Sequence, residues 1–391
     1  MKKATWLIIE PTFFGHHYTY LENILEQAFI NNINVIIATQ NDKDGNLITE
    51  NILNKFEEPP AILCFGKMPK LNINNIFNLF CYQIKVRSYF KSIYKKAKKN
   101  YKIDHVFIPY IDDFTFSLSL LGSPFGNTTF SGIVMRLEFH LDINLESILN
   151  IVILKFKKFL FLNLVKKNSL KNVFIIDPKL KEYFDVFHKN ISYKVRYFAD
   201  PVNDLTLIPK NKSFDLLKIP FDNLVILIFG FLDSRKGVDI LIDWAILNSK
   251  ISPITILLIG TQSPEIKNFI KCCDLNPRLQ LIVKDEFVSE SSESLYFSAA
   301  DIVWVAYPNF QLMSSVLVKA AQAETNIIYY EKGLISYFAN KYGNTLQDNT
   351  FFMKKGFILN NGLKIKGFAS PKNRFISDHS WKNAGYIFFN S

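Results

Sequence analysis

The sequence has little cysteine, which excludes most folds that depend on disulfides or structural zinc. Its 391 residues include four cysteines, Cys64, Cys81, Cys272 and Cys273, with no CxxC pair and no Cys/His zinc spacing. The adjacent pair is a poor candidate for a disulfide. We therefore expect reduced thiols in a cytoplasmic protein.

Long apolar runs are also missing. The best candidate for a membrane span, residues 148–167, is interrupted by Lys155, Lys157 and Lys158. No segment therefore predicts a helix that crosses a bilayer. Near the amino terminus the short run WLII is closed by Glu10, which predicts a first strand and not a signal peptide.

Acidic residues are outnumbered, 35 against 46 basic residues, so the formal net charge is +11. Hydrophobic residues make up 49% of the chain, which excludes wholesale disorder. A basic surplus suits a nucleic acid, a phospholipid surface or a phosphorylated substrate. Because no RNA-binding sheet motif, KH loop or helix-turn-helix is visible, nucleic acid is not the expected partner.

Short apolar runs alternate regularly with helical patterns. The runs are WLIIE, NVIIATQ, AILCFG, HVFIPY, TTFSGIVM and NVFIID in the first half, then LVILIFG, ITILLIG, LQLIVKD, DIVWVAY and NIIYY. Such runs predict strands buried on both faces of parallel sheets. The expected fold class is α/β, with two doubly wound, Rossmann-like parallel-sheet domains that face each other across a cleft.

Composition places the domain boundaries. We expect an N-terminal domain over residues 1–200, a polar, proline-bounded linker over 201–220 and a second domain over 221–365. Residues 366–391 are expected to form a C-terminal helix that packs back on the first domain.

The loop GFLDSRKGVD follows the apolar run LVILIF. Gly230 permits a tight turn, and Arg235 and Lys236 bring positive charge to the carboxyl end of a strand, where parallel sheets bind ligands. A basic pair at such a water-poor place suits a phosphate group. The alternative is an ordinary solvated basic turn.

A second loop, YPNFQLMSSVLVKAAQAE, leads into a helical pattern. Ser314 or Ser315 is the expected N-cap of that helix. A helix amino terminus with free amides and a partial positive charge suits a diphosphate. An ordinary capped helix is the alternative here.

Together these motifs resemble a known family. The series G-x-L-x-x-x-K-G-x-D-x-L-I, L-L-I-G and A-A-D-I-x-x-x-x-Y-P holds over roughly residues 221–345. It resembles the second domain of GT-B glycosyltransferases, above all the family-4, or "group 1", retaining enzymes that use nucleotide sugars. In the first half, FFGHHYTYLENILEQAF resembles the glycine loop and following helix of that family.

The resemblance implies that residues 1–200 form the acceptor-side domain and residues 221–365 the nucleotide-sugar-binding domain, and it assigns donor-binding roles to individual residues. Lys236 matches the lysine that holds the donor diphosphate, and Arg235 is its basic neighbour. Gly15 matches the glycine whose backbone lets the phosphates approach. Ser314 and Ser315 stand where the helix amides of the family meet the distal phosphate.

The sequence also departs from the family. Phe231 stands where the family usually has an arginine, and the family's two glutamates, with seven residues between them, fall on Gln311 and Lys319. A glutamine can bond sugar hydroxyls, whereas a lysine cannot accept hydrogen bonds from a ribose diol. MSSVLVKAA resembles a Ser-Ser-x-x-Leu version of this helix. Either the donor is held differently or the site has decayed.

Candidates in the first domain follow strand-like runs. His140, after TTFSGIVM, matches the cleft histidine that contacts the donor sugar or leaving group in the family, and a structural histidine is the alternative. Asp112, after HVFIPY, is a candidate for binding acceptor hydroxyls or serving as a base, and a helix N-cap is the alternative. His16 and His17 follow Gly15, so one of them is a candidate for lining the cleft.

Two basic-aromatic stretches, residues 85–102 and 148–167, have helical periodicity. The first has one apolar stripe, formed by Val86, Phe90, Ile93 and Ala97. Such helices suit an anionic bilayer surface, with lysines at the headgroups. Surface helices with one buried face are the alternative.

We therefore expect a cytoplasmic glycosyltransferase, peripheral on the inner face of the cell membrane, that moves a sugar from a nucleotide-sugar donor to an acceptor hydroxyl. The family resemblance implies retention of the anomeric configuration, a role in surface glycan or polysaccharide biosynthesis, and no cofactor or obligatory metal. The expected partners are the donor, a glycan or lipid-linked acceptor and an anionic membrane surface. The alternative is a non-catalytic GT-B-like scaffold or partner in a glycan-assembly complex, which Phe231, Gln311 and Lys319 favour.

Overall fold

The chain forms two compact units. The structure, a computed structural model, describes residues 3–12, 16–40, 54–56, 59–69, 76–141, 148–273, 276–344, 358–359, 362–368 and 373–390. The first unit comprises Met1–Ala199 and Trp381–Ser391, and the second comprises Asp200–Ser380.

The first unit is built on a seven-stranded parallel sheet. Its strands are β1 (Thr5–Ile9), β2 (Asn34–Gln40), β3 (Ala61–Phe65), β4 (His105–Ile108), β5 (Phe130–Val134), β6 (Leu170–Ile175) and β7 (Val195–Tyr197). The spatial order is β3-β2-β1-β4-β5-β6-β7. The direction of winding therefore reverses between β1 and β4, as in doubly wound nucleotide-binding folds.

Helices cover both faces of this sheet. They are α1 (His16–Ile30), α2 (Ile76–Asn100), α3 (Thr115–Leu120), α4 (Ile148–Val165), α5 (Pro178–Phe187), α6 (Lys189–Ser192) and, from the end of the chain, α14 (Trp381–Phe389). On one face, Phe90 of α2, Phe161 of α4 and Phe184 of α5 are fully buried in a shared core. On the other, the Phe388 ring of α14 lies 4.9 Å from that of Phe174.

The sequence predicted most of this sheet. Strands β1 to β6 overlap the apolar runs expected to form strands. The pattern did not indicate β7, because only Val195 of its three residues is buried. A short edge strand of this kind has too few buried positions to give a periodic signal.

The second unit has a six-stranded sheet in the order β10-β9-β8-β11-β12-β13. Its strands are β8 (Leu224–Phe229), β9 (Ile254–Ile259), β10 (Leu279–Lys284), β11 (Ile302–Trp304), β12 (Asn326–Tyr330) and β13 (Leu363–Lys366). All neighbours are parallel except β12 and β13. The apolar runs of the sequence did not indicate this antiparallel edge strand, a common addition to otherwise parallel sheets.

The second unit also contains seven helices within the described residues. They are α7 (Lys210–Leu217), α8 (Val238–Ser249), α9 (Pro264–Cys272), α10 (Glu290–Ala299), α11 (Ser315–Gln322), α12 (Gly333–Tyr342) and α13 (Asn373–Asp378). Helix α7 lies in the stretch 201–220 that the sequence indicated as a linker. No helix in the described ranges is both long enough and apolar enough to cross a membrane.

Candidate functional site

The glycine at the end of β8 leaves open space above the sheet. Gly230 has a φ of +100°, a conformation that side chains with a Cβ rarely adopt. A Cβ added there would lie 3.7 Å from Lys236 Nζ and, among non-adjacent residues, would meet nothing else within 4 Å. The second glycine of this edge, Gly260 after β9, has a φ of +125°, and a Cβ there would collide with the Gly230 carbonyl oxygen.

Lys236 is buried directly beside this space. It lies in a 3-10 turn, Ser234–Lys236, and is 6% exposed. Its ammonium donates hydrogen bonds to the Phe229 carbonyl oxygen at 3.1 Å and to the Tyr307 hydroxyl at 2.9 Å. The ion pairs of the described residues do not include Lys236, so its buried charge has no carboxylate partner there.

Two aromatic residues from β11 and the loop after it hold Lys236 in place. Trp304 Nε1 donates to the Lys236 carbonyl oxygen at 3.1 Å, and Lys236 Nζ lies 4.3 Å from the centre of the Tyr307 ring. The sequence motif contained Tyr307 but did not indicate this role. Lys236 is therefore buried, and it does not belong to the solvated basic turn that was the alternative for this loop.

Arg235 has a different environment from its neighbour. Its side chain is 46% exposed and its Nε lies 3.7 Å from Asp233 Oδ2. The guanidinium also lies 5.2 Å from the centre of the Phe310 ring. Arg235 therefore faces solvent and is paired, while Lys236 is the buried cation.

The amino terminus of α11 begins at the predicted position. Ser314 is the N-cap residue, but its hydroxyl makes no capping hydrogen bond. Its carbonyl oxygen accepts from Leu317 N at 3.0 Å. Ser314 and Ser315 are half-buried, so the local sequence predicted the boundary of the helix but not the way in which it is capped.

Gln311 is fixed through its backbone. Its carbonyl oxygen accepts from Leu334 N, in the first turn of α12, at 2.9 Å. A Cβ on Gly333, whose φ is +69°, would collide with the Gln311 backbone. Gly333 therefore lets the start of α12 approach the backbone of Gln311 closely, and this contact positions the half-buried Gln311 before α11.

Lys319, on α11, is held by an acidic residue of α10. Its ammonium forms an ion pair with Glu293 Oε2, and the two side chains are 12% and 10% exposed. Lys319 Nζ also lies 5.7 Å from the centre of the Phe229 ring. The lysine that replaces the second glutamate of the family is therefore neutralised within the domain, by a residue that the sequence motifs did not identify.

Asp112, in the first unit, binds backbone groups. It begins the 3-10 turn Asp112–Phe114, and its carboxylate accepts from Met135 N at 3.1 Å and from Arg136 N at 2.8 Å. Burial raises the pKa of this carboxyl, while the backbone hydrogen bonds to Met135 and Arg136 lower it. These contacts tie the end of β4 to the end of β5, so Asp112 has a structural task, and its acceptor-binding role stays a prediction.

His140 is buried against another acidic residue. Its side chain is 1% exposed, and its Nε2 lies 2.7 Å from Asp177 Oδ2. The other carboxylate oxygen of Asp177 caps α5 by accepting from Lys179 N at 2.8 Å and from Leu180 N at 3.2 Å. In this structure His140 serves the packing around the first turn of α5, and its catalytic role stays a prediction.

Two further observations concern the phosphate-binding loop and groups of possible metal ligands. Gly15, assigned to the phosphate-binding loop of the first domain, lies outside the described residues. Within the described ranges, no three His, Cys, Asp or Glu side chains are grouped so that they could hold a metal ion.

Comparisons with known proteins identify the fold. No protein-family model matches the sequence, and no curated protein matches it either. Sucrose-phosphate synthase from Thermosynechococcus elongatus has a similar structure, with a TM-score of 0.61 and 14% identity over 99% of this chain and 94% of that one. A glycosyltransferase from Rickettsia africae has a TM-score of 0.56 and 18% identity over 85% of this chain and 80% of that one.

HepE from Anabaena, in a crystal structure with UDP-glucose, is also similar. It has a TM-score of 0.55 and 13% identity over 84% of this chain and 81% of its own. Likeness at such low identities is evidence of the fold alone. With its two Rossmann-like α/β domains, the chain therefore has the GT-B fold.

Proposed function

We propose that this chain is a glycosyltransferase that moves a sugar from a nucleoside-diphosphate sugar to an acceptor hydroxyl. The observation that carries the proposal is the buried ammonium of Lys236, which borders Gly230 and has no carboxylate partner among the residues that the structure describes. Burying an unpaired charge is costly unless a ligand of opposite sign completes the site. The UDP-glucose complex of HepE supports a nucleotide-sugar donor for this fold.

The chemistry follows from where charge develops. As the bond between the sugar and the diphosphate breaks, negative charge grows on the diphosphate oxygens, and a cation that is already oriented stabilises it without reorganisation. Phe229 and Tyr307 hold Lys236 in that orientation. The amides at the start of α11 are suited to a second phosphate.

The finer parts of the proposal rest on the family resemblance. We propose transfer with retention of configuration, without a cofactor or metal, in surface glycan or polysaccharide biosynthesis. The acceptor is then a glycan or a lipid-linked glycan. Its identity, and that of the donor sugar, would follow from a screen of nucleotide sugars against glycan acceptors.

Nucleotide binding tests the core of this proposal. Calorimetric titration of the full chain with UDP and with GDP should give binding by at least one of them, and Lys236→Met should weaken it. The matching donors, UDP-glucose and GDP-mannose among them, should then be hydrolysed slowly in the absence of an acceptor. Failure of the wild type to bind any nucleoside diphosphate would overturn the proposal.

The ion pair between Lys319 and Glu293 favours a second function, that of a non-catalytic partner in a glycan-assembly complex. It places a neutralised lysine where the family keeps a glutamate. A protein of this kind would bind a nucleotide without hydrolysing the donor, or bind neither. The titration and the hydrolysis assay together therefore separate the two functions.

We also propose that the first half of α4 binds an anionic membrane surface. Ile148, Leu149 and Val152 are 81%, 66% and 56% exposed, and Lys155 and Lys157 follow on the same exposed half of the helix. Apolar side chains with neighbouring lysines fit a bilayer with acidic headgroups. By contrast, the apolar stripe of α2 is buried in the core, which leaves α4 as the membrane-binding element of this proposal.

A further inference from the structure

Helix α2 carries charge of one sign only. Its 25 residues contain no Asp or Glu, and its basic residues are Lys85, Arg87, Lys91, Lys95, Lys96, Lys98 and Lys99. The apolar side of the helix is buried in the core of the first unit, where Phe90 and Ala97 are fully covered. The surface that α2 presents to solvent is therefore strongly positive.

Four of these residues form one exposed row, which we call the lysine stripe: Lys91, Lys95, Lys98 and Lys99. Successive members of the row are three or four residues apart, so their Cβ atoms are separated by about 5–6 Å. From Lys91 to Lys99 the helix rises by about 12 Å. The stripe is thus a linear array of cations that repeats with the turn of the helix.

The lysine stripe has no acidic partner among the described residues. None of the ion pairs that they form includes one of the four lysines, and the nearest pair in the sequence joins Lys102 to Asp104. Like charges four residues apart on a helix repel each other and destabilise it. The helix dipole offsets this repulsion only in the last turn, so it accounts for Lys98 and Lys99 and not for the other two. A bound polyanion would neutralise the whole row.

The neighbours of the stripe indicate which kind of polyanion fits. Within residues 85–100, all of which the structure describes, no large apolar or aromatic side chain is exposed. The stripe therefore lacks the apolar contacts with which a helix enters a bilayer surface. It also lacks the aromatic platforms on which the bases of single-stranded nucleic acids stack.

Hydroxyl groups accompany the lysines instead. Ser88 lies three residues before Lys91, and Ser92 lies three residues before Lys95, so both serines belong to the same side of the helix. Both are exposed. A serine hydroxyl can donate a hydrogen bond to a sugar hydroxyl or accept one from it. A linear polymer with regular negative charges and many hydroxyls therefore matches this surface.

We propose that the lysine stripe binds an acidic polysaccharide, a glycan chain with a carboxylate or phosphate group in each repeat. This inference rests on the proposed glycosyl transfer, in which the acceptor is a glycan, and it names the chemical class of that acceptor. The chain lies along α2 and is held by its charges, and no bond forms or breaks there. Because an ammonium is a point charge on a flexible stem, the stripe selects for negative charge and not for one particular sugar.

The first arm of the test measures polymer binding without any nucleotide. Fluorescently labelled oligogalacturonate, which has one carboxylate for each sugar, is titrated with the full chain, and its anisotropy is measured. A labelled dextran oligomer of the same length is the neutral control. The wild type should bind the oligogalacturonate and not the dextran, and added salt should weaken binding because it screens the attraction. Absence of binding at low salt would overturn the inference.

The second arm compares two variants with the same net charge. The stripe variant, which should bind oligogalacturonate about tenfold more weakly at about twofold for each lost ion pair, is Lys91→Gln/Lys95→Gln/Lys98→Gln/Lys99→Gln. The control variant changes four exposed lysines elsewhere and should bind nearly like the wild type: Lys189→Gln/Lys212→Gln/Lys250→Gln/Lys271→Gln. Equal weakening in both variants would overturn the site. Since the stripe variant also removes repulsion within α2, its melting temperature should not fall.

The third arm tests the class of the polyanion. Single-stranded DNA of the same charge should bind no more tightly than the oligogalacturonate, because its bases find no exposed aromatic side chain in residues 85–100. Tighter DNA binding that the stripe variant loses would assign the surface to nucleic acid instead. Vesicles containing phosphatidylserine should bind the stripe variant as well as the control variant. Weaker vesicle binding by the stripe variant alone would assign the surface to the membrane.

Nucleotide titration keeps this inference separate from the proposed function. The stripe variant should bind UDP or GDP with the affinity of the wild type, because the stripe is a surface for the polymer. Failure of the wild type to bind any nucleoside diphosphate would overturn the proposed glycosyl transfer, whereas the stripe as a polysaccharide-binding surface is decided by the oligogalacturonate titrations alone.

Discussion

Lys236 and Tyr307 contact each other in two ways. The ammonium donates a 2.9 Å hydrogen bond to the Tyr307 hydroxyl, and it lies 4.3 Å from the centre of the same ring. One aromatic residue thus supplies both a hydrogen-bond acceptor and a π face to a buried cation. Both are weaker partners for the cation than a carboxylate. The arrangement fixes the direction of the charge and leaves it available to an anion.

The first prediction concerns Lys236→Met, which keeps most of the aliphatic stem and removes the charge. Loss of one charge-assisted contact of roughly 1.5–3 kcal/mol corresponds to a loss of about 10- to 150-fold in affinity for UDP or GDP. Arg235→Ala should cost less, because that side chain is half exposed. Calorimetric titration measures both, with Lys212→Ala on the exposed side of α7 as the control.

Melting curves accompany these titrations, because Lys236 is buried. Lys236→Ala should lower the melting temperature more than Lys236→Met, since it also removes the packed stem. Unchanged nucleotide affinity in a folded Lys236→Met protein would refute the phosphate-site assignment.

The second prediction concerns the pair formed by Lys319 and Glu293. Both side chains are about nine-tenths buried, so removing one partner leaves an uncompensated charge in the core. Such changes cost about 3–5 kcal/mol, and we expect this loss in urea unfolding of Lys319→Met. Lys364→Met is the control, because its pair with Glu331 is more than half exposed on both sides and should contribute less than about 1 kcal/mol.

The double variant Lys319→Met/Glu293→Gln completes the second experiment. With both charges gone, it should recover much of the stability that Lys319→Met loses. If the double variant is no more stable than Lys319→Met, the ion pair does not account for the loss.

Residues of the site differ in how well the sequence predicts them. Lys236 belongs to a motif with fixed spacing, so its position after β8 was predictable, whereas its burial depends on Trp304 of β11 and Tyr307 of the following loop. Glu293 was not predictable, because it lies 26 residues from Lys319 in the sequence and meets it only through the packing of two helices. Local periodicity carries no information on such contacts.

The fold was more predictable than the site. Continuous apolar runs such as LVILIF and ITILLI became fully buried strands, since no other placement hides them from water. The edge strands β7 and β13 escaped prediction because they are short and alternate apolar with basic residues, in VRY and LKIK, and so lack a continuous apolar run. Glu10, which in the sequence only closes a strand, has its Oε1 3.1 Å from His17 Nδ1, a contact that the local pattern does not indicate.

The third prediction is a loss of stability in acid that depends on His105. This residue is buried in β4, with Nδ1 3.0 Å from Thr129 Oγ1. Burial, with a smaller effect of Lys171, lowers its pKa from 6.5 to about 3. The folded state therefore binds fewer protons than the unfolded state, and stability falls as the pH drops from 6.5 towards 3.

His105→Gln tests this dependence. Between pH 7 and pH 4.5 the unfolding free energy of the wild type should fall by about 2–3 kcal/mol because of His105. The variant should not show this part of the fall. Urea unfolding at pH 7 and at pH 4.5 measures it. If the unfolding free energy of the variant changes between the two pH values as much as that of the wild type, other groups govern acid unfolding. His379 would be one of them, since burial lowers its pKa to about 4.

The last prediction concerns membrane binding by α4. Its exposed apolar side chains should enter the headgroup boundary, and two exposed lysines, at about 1 kcal/mol each near an acidic surface, should favour anionic over neutral vesicles by about 30-fold. Flotation with phosphatidylcholine vesicles and with vesicles containing phosphatidylserine measures this ratio. Added salt should lower it, because the attraction is screened.

Two variants separate the charged from the apolar contribution to this binding. Lys155→Gln/Lys157→Gln should abolish the preference for anionic vesicles, and Leu149→Ser/Val152→Ser should weaken binding to both kinds. Val186→Ser, a 61% exposed residue of α5, is the matched control and should bind like the wild type. Equal recovery of the wild type with neutral and anionic vesicles would refute the proposal that α4 binds an anionic lipid surface. A concentration-dependent dimer lost in Leu149→Ser/Val152→Ser would instead assign the face to a second copy of the chain, because the same exposed apolar side chains would then be covered by protein.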